Sequence, residues 1–366
     1  MSSVLEGYLL QTRGSRFIYN LKGIMRMMIP RIITQKQLEV KIQKLLQTYD
    51  KELEVISNRI NYYNKLDKPF CIPSTQDKLA QVQPLQIALP PYPSRLSSLQ
   101  QLVPNIDILK NNTYKAGSVY FYDSYEWTRY FKDDLRWAYM FYDVCDLLSF
   151  PAICKSRPII SCNNNSVLLQ LEKYRHFHFI HDPIRFEDKK DILLFRGAVY
   201  QDHRIRFFEK HFTNPNCDIG HVGRLDSNPQ WIKNKLSIQE HLPYKFLLSL
   251  EGYDVASNLK WVLSSNSLCI MPEPEMETWF MEQRLEKGVH FAAINRDYSD
   301  LDSVLEYYKT HTNEAKEIIQ NAHAFCMKFY DKRLEGLLNL LVLRKYFYLS
   351  GQIDISPLEQ TLFKLD

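Results

Sequence analysis

Lys245–His290, KFLLSLEGYDVASNLKWVLSSNSLCIMPEPEMETWFMEQRLEKGVH, is the most informative stretch of the chain. Phe246–Leu250 is a continuous apolar run, too short for a helix and bounded by Gly252, which is the pattern of a buried strand. The polar turn Glu251–Ser257 leads into a helix start over Asn258–Ser264. A second buried strand, Ser267–Met271, is closed by Pro272 and Pro274. Strand, turn, helix, strand is one βαβ unit, and ligands of parallel sheets collect at the carboxyl ends of such strands. A helix amino terminus there offers N–H groups and a positive dipole end that suit a phosphate, with Lys260 one turn in as a full charge.

The 366 residues suffice for two domains, each with its own core. Apolar and charged fractions are those of an ordinary soluble protein, and no run of eighteen apolar residues occurs. No secretory signal is read in Met1–Gln11. Seven cysteines without a CxxC pair point to reduced thiols and away from a zinc site. The net charge of +4 is uneven: residues 1–46 carry eight Lys/Arg against two Glu. Nucleic-acid binding calls for a broader basic surface, whereas a patch at one end fits anionic lipid or an anionic acceptor.

Phe17–Ile33 mixes apolar and basic residues up to Pro30, and two readings fit: a helix lying on a membrane surface, or one packed on its own domain. Apolar spacing predicts one long helix over Lys36–Tyr63. The prolines of Lys68–Pro104 predict an irregular connection. Beyond Ser118 the expected order is a strand SVYFYD, a polar helix to Leu135, and a strand RWAYMFYDV. A helix around Val167–Tyr174, a strand HFHFI and a strand Ile192–Phe195 follow. Asp300 is expected to cap a helix, and Asn313–Tyr330 and Lys332–Leu349 are the helices of the C-terminal end.

No GxxxxGK[ST], GxGxxG, HExxH or GxSxG motif is present, which argues against P-loop ATPases, dinucleotide enzymes, zinc proteases and hydrolases with a nucleophile elbow. Asp300-Leu301-Asp302 resembles a metal-binding DxD, but acids in that place fit a helix first turn better. Asp143 ends the strand Trp137–Phe141, where a carboxylate either takes a proton from a hydroxyl or caps the next turn. Arg196 and Arg204 follow another strand end, and an arginine fork suits phosphate oxygens. Glu277, Trp279 and Glu282 either line a sugar or belong to a helix packing its aromatics.

Four stretches together resemble glycosyltransferase family 90, which includes bacterial LpsA-type lipopolysaccharide glycosyltransferases and eukaryotic protein O-glucosyltransferases. They are SVYFYDSYEWTRYFKDDLRWAYMFYDV, CKSRPI, NNNSVLLQLEKYRHFHFIHDPIRFEDKKDILLFRGAV and GYDVASNLKWVLSSNSLCIMPEPEMETWFMEQRLEKGVH. The resemblance is strongest to the bacterial branch. It implies an α/β fold of GT-B type, with two Rossmann-like domains facing a cleft and helical terminal segments. The expected boundaries are a helical N-terminal segment (1–67), an acceptor-side domain (68–190), a nucleotide-sugar domain (191–335) and a C-terminal helix packing back on the first domain (336–366).

The resemblance further implies inverting, metal-independent transfer from a UDP-sugar, with no cofactor. Asp143 falls at the position of the catalytic base. Arg196, Gly197, Ala198 and Arg204, with Tyr253, Asp254, Val255, Ala256, Ser257, Asn258 and Lys260, fall at the donor-binding segments. Asn165 and Ser166 join Glu277, Trp279 and Glu282 as candidates for the sugar or acceptor side. The family often has Gly where Tyr142 precedes the base, and its secreted members have Ser and Arg where Ala198 and Asn258 stand, so the donor sugar is left open. The expected acceptor is a lipopolysaccharide or lipooligosaccharide core, at the inner face of a bacterial inner membrane and without nucleic acid. The alternatives are an inactive carbohydrate- or membrane-binding protein with the same fold, or a transferase acting on capsule or protein.

Overall fold

A computed structural model describes residues 16–72, 82–83, 95–98, 118–148 and 150–365, so most of the proline-rich Lys68–Pro104 segment lies outside the described residues. The chain forms two compact units. One comprises residues 175–275 and 281–330, and the other residues 13–174, 276–280 and 331–366. The N-terminal helices and the long C-terminal helix therefore share a unit, and the break between units falls at 174/175.

In the second of these units, α1 (Arg16–Met27) and α2 (Arg31–Lys36) precede α3 (Leu38–Thr48) and α4 (Leu53–Tyr63). The single helix expected over Lys36–Tyr63 is thus two, parted by a tight turn at Asp50–Glu52. Tyr49 ends α3 with its hydroxyl donating to Asp331 at 2.6 Å. SVYFYD is not a strand but opens α5 (Ser118–Thr128). Tyr120 through Ser124 are all buried, and a helix covered on most sides loses the 3.6-residue alternation that would reveal it. Strands β1 (Arg95–Ser98), β2 (Arg136–Met140), β3 (Ala152–Cys154) and β5 (Ser166–Leu168) form a sheet in the order β1-β2-β3-β5, all parallel except β1. The helix expected around Val167 is β5 instead, a fully buried parallel strand that reads as an unbroken apolar run.

β4 (Ser156–Pro158) pairs antiparallel with β10 (Met276–Thr278), which accounts for the short excursion of 276–280 into this unit. Arg157 and Glu277 face each other across that pair with no exposure, Nε to Oε1 at 2.7 Å. Arg157 also donates to the carbonyls of Tyr62 (2.7 Å) and Ser166 (2.9 Å), and the Tyr62 hydroxyl donates to Glu277. Trp279 stacks on Tyr63 at 3.7 Å, and its indole N–H donates to Glu335, which pairs with Arg59. α10 (Lys332–Leu349) is buried on nearly every side, and α11 (Pro357–Phe363) closes the chain behind a Ser356/Glu359 capping box.

The other unit carries five parallel strands in the order β11-β9-β8-β6-β7. They are β6 (Lys190–Gly197), β7 (Cys217–His221), β8 (Tyr244–Leu248), β9 (Leu268–Met271) and β11 (Ala292–Ala293). The chain starts in the middle, at β6, steps outward to β7, then returns to β8 and runs the other way. This doubly wound order places the reversal of direction between β6 and β8. α6 (Asp202–His211) follows β6, α7 (Leu259–Leu263) follows β8, and α8 (Leu301–Thr310) and α9 (Thr312–Met327) close the unit. Phe195, Phe207, Phe208, Phe246 and Leu248 lie at its centre. HFHFI is not a strand: the Ile180 N–H bonds the Ser264 hydroxyl, and Asn266 and Lys189 bind Asp182 just beyond, so side chains take the place of a ladder.

Replacing Glu277 by Ala leaves Arg157 charged and buried, and is expected to cost about 3–5 kcal/mol of stability. Urea unfolding checks this, and a loss below about 1 kcal/mol would remove the pair from this role.

Candidate active site

In a doubly wound sheet the ligand site lies at the carboxyl ends of the strands that flank the reversal. Here those are the loop 198–201 after β6 and the loop 249–258 after β8. β6 ends on Arg196-Gly197, and a Cβ at Gly197 would sit 2.7 Å from the Phe195 ring, so only glycine lets the chain turn so close to it.

Arg204, on the first turn of α6, joins the two loops. Its Nη1 donates to the Ala198 carbonyl (2.7 Å), Nη2 to Leu250 (2.6 Å) and Nε to Glu251 (2.8 Å). These partners are all neutral carbonyls, and the Glu251 and Asp254 carboxylates also favour the charged form. Burial lowers its pKa to about 10, which leaves it charged at neutral pH. His203 beside it holds the same Glu251 carbonyl at 2.7 Å, and the Val199 N–H donates to Nδ1 of His221. Asn258 ties the far end of the second loop to β8, donating to Leu248 (2.9 Å) and accepting from the Ser249 hydroxyl (3.1 Å). Between these anchors Tyr253 and Ser257 are exposed, while Asp254, Val255 and Ala256 are buried.

Two expected cations are engaged by carboxylates here. Lys260 is fully buried with its ammonium 2.5 Å from Glu282, which is equally buried. Arg196 pairs with Asp218 at 2.8 Å. The helix after the second loop, α7, has five residues, too few for a dipole of any size, so the loop's polarity rests on its backbone and on Arg204. Asp300 precedes α8, but its carboxylate accepts from Asn295 instead of capping the helix. Asp302 accepts from Asn214 and Asn216. Among the described residues no group of three or more His, Cys, Asp or Glu is arranged to hold a metal ion.

Asp143 belongs to the other unit. It follows β2 and is partly exposed, and it accepts a hydrogen bond from Lys155. Lys155 is almost wholly buried and also reaches Glu172 at 2.9 Å, to which the Tyr120 hydroxyl donates. Tyr142 (φ 80°) and Glu172 (φ 56°) both adopt the left-handed region. Such strain in non-glycine residues costs of order 1–3 kcal/mol and concentrates at functional sites. The φ of Tyr142 is one that glycine adopts without strain. Lys155 and Glu172 lie in the stretches CKSRPI and NNNSVLLQLEK, but no local spacing says that residues 17 apart share one ion-paired cluster. Asn165 donates to the Leu148 carbonyl, and Ser166 is buried at the start of β5. Glu277 and Trp279 are the buried pair partner and stacked ring described above, on a strand and turn instead of a helix.

A doubly wound parallel sheet places the chain in the α/β class, in which ligand sites lie at the carboxyl ends of the strands beside the reversal point. The model of glycosyl transferase family 90 matches residues 176–333, a span that takes in the parallel sheet. O-glucosyltransferase LpsA of Dichelobacter nodosus is 36% identical over 294 residues, covering 80% of this chain and 83% of that protein. O-glucosyltransferase rumi of Drosophila melanogaster is 21% identical over 189 residues, covering 49% of this chain and 46% of the relative. The chain belongs to glycosyl transferase family 90.

Arg204→Met removes three hydrogen bonds, leaving the Glu251 carbonyl only its His203 contact, and is expected to cost roughly 2–4 kcal/mol. Arg204→Lys, which keeps the charge but not the fork, should fall in between; urea midpoints equal to the parent's would show that the loops do not need it. Burial holds His203, His221, His241 and His290 below the usual imidazole pKa. The unfolded chain takes up protons there from about pH 6.5 downward, so stability is full above that pH and falls below it. Urea midpoints should be lower at pH 5.5 than at pH 7.5, and equal midpoints would contradict the histidine burial.

Proposed function

We propose that this protein is an inverting, metal-independent glycosyltransferase of GT-B type that transfers a sugar from a UDP-sugar to a lipopolysaccharide or lipooligosaccharide core. The observation that carries the donor half is the Arg204 fork across the two loops at the sheet's reversal point. The leaving diphosphate gains charge as the glycosidic bond breaks, and a charge already fixed by neutral carbonyls stabilises it without reorganisation. The backbone of 253–258 surrounds the same ligand. This arrangement supplies by protein groups what a divalent cation supplies elsewhere.

The acceptor half rests on Asp143. Its carboxylate takes the proton of the acceptor hydroxyl, the oxygen attacks the anomeric carbon, and the electron pair of the broken C–O bond leaves with UDP. Lys155, bonded to Asp143 and Glu172, orients the carboxylate. The lipopolysaccharide acceptor is supported by the relative's name, LpsA, and by the basic N-terminal segment, which suits a peripheral place on the inner face of a bacterial inner membrane. A bound nucleotide raises stability by about 2.7 kcal/mol at a hundredfold excess over its Kd.

UDP is therefore expected to raise the melting temperature equally with and without EDTA. Asp143→Asn should keep that shift and lose sugar transfer. A shift abolished by EDTA would return the donor site to metal chemistry, and normal turnover of Asp143→Asn would remove the base.

A further inference from the structure

The amphipathic character of α1 and α2 faces the unexpected way. Helix α1 is held against α5 by its polar side. The Tyr19 hydroxyl donates to Asp123 (2.6 Å) and to the Val119 carbonyl (3.1 Å), and Arg26 pairs with Glu126 at 2.7 Å. Between them Gly23 lies so close to the Tyr122 ring that a Cβ would fall 2.3 Å from it. Positions 19, 23 and 26 form one helical face. The opposite face carries Phe17, Ile18, Leu21, Ile24 and Met25, all exposed. In α2 the pattern repeats. Arg31 reaches Asp133 and the carbonyls of Thr128 and Phe131, while Thr34 and Gln35 donate to the carbonyls of Arg129 and Phe131. Ile32 and Ile33 point outward, and Met28, between the two helices, is 77% exposed.

A helix that only packs on its own domain turns its apolar stripe inward. Here three specific polar attachments fix the helix with the stripe outward, so it cannot roll to bury it. The result is a set of exposed apolar side chains along both helices, of the kind that marks an interaction site. Its charge says what covers it. No Asp or Glu occurs between Arg13 and Lys36, and of the cations in the described part of this stretch Arg26 and Arg31 are spent on inward pairs while Arg16, Lys22 and Lys36 remain exposed. A second copy of the chain docking by the same face would set these cations against themselves. An anionic bilayer surface satisfies both halves: the apolar side chains enter the acyl boundary and the cations meet lipid phosphates.

We infer that the α1–α2 face is a docking surface for an anionic lipid bilayer, inserted side-on by Phe17, Leu21, Met25, Met28 and Ile32 and oriented by Arg16, Lys22 and Lys36. Among the described residues no helix is long and apolar enough to cross a membrane, so the contact is interfacial. The inference names the surface by which the proposed enzyme meets its membrane, but it rests only on these helices, and its test is read separately from nucleotide binding.

The full chain is sedimented with vesicles of phosphatidylglycerol and phosphatidylethanolamine, and with vesicles of phosphatidylcholine alone. Binding is expected to the anionic vesicles and to be at least tenfold weaker for the phosphatidylcholine ones. The triple variant Phe17→Ser, Met25→Ser, Ile32→Ser, on solvent-facing positions, should lose tenfold or more while melting at the parent temperature and keeping its UDP shift. Lys22→Glu with Lys36→Glu should erase the preference for anionic lipid. Vesicle binding equal in parent and triple variant, or no binding by the parent, would overturn the inference. So would a dimer by light scattering that the triple variant dissolves while vesicles go unbound.

Discussion

One guanidinium ties together the two loops at the reversal point of the parallel sheet. Arg204 grows from the first turn of α6 and grips the loops after β6 and β8, the two strands between which the sheet reverses direction. Because its partners are backbone carbonyls, the bonds are independent of which side chains occupy the loops, and the positive charge remains available. Lysine, a point charge on a flexible stem, has no equivalent fork. Gly197 and Asn258 complete the frame, the first by allowing the chain past Phe195 and the second by fastening the far loop to β8. The other cations nearby are held by carboxylates: Lys260 pairs with Glu282, and Arg196 shares Asp218 with Lys233.

The second unit solves a different problem, which is to hold a carboxylate in a defined place while part of it meets solvent. Lys155, buried between Asp143 and Glu172, does this with one ammonium and two carboxylates. The chain accepts left-handed backbone at Tyr142 and Glu172 around that cluster. Tyr142 recovers part of the cost through its contact with the Tyr120 ring, 5.1 Å away. Elsewhere in the unit the fully buried Arg157–Glu277 pair, closed by Tyr62, fixes β10 in place, and Trp279 on Tyr63 seals the turn that follows. Residues that look like sugar-binding groups in a sequence, an acid and a tryptophan two apart, are here the struts of a strand.

Local pattern alone delivered the strands and turns of residues 244–271 and the helix Lys332–Leu349, because short apolar runs bounded by glycine and proline mean the same thing in any context. It failed where burial was complete. α5 is buried over most of its surface and β5 entirely, so neither shows the alternation that separates helix from strand. It failed also where a side chain replaced a backbone partner, as at Ile180 on Ser264, and where Tyr49 on Asp331 ended a helix that spacing alone would continue.

Family membership, the βαβ unit and the basic, apolar character of residues 16–36 are properties of residue order, since motif, run length and composition survive without a fold. Charge pairing is not. Arg157 and Glu277 lie 120 residues apart, and no local rule distinguishes them from free ions. The same holds for the first helix: the sequence contains its stripe, but which way the stripe faces depended on Tyr19, Gly23 and Arg26 meeting Asp123, Tyr122 and Glu126 about a hundred residues along. An amphipathic pattern states that two faces differ; only the tertiary packing, by satisfying the polar one first, decided which of them was left to the surroundings.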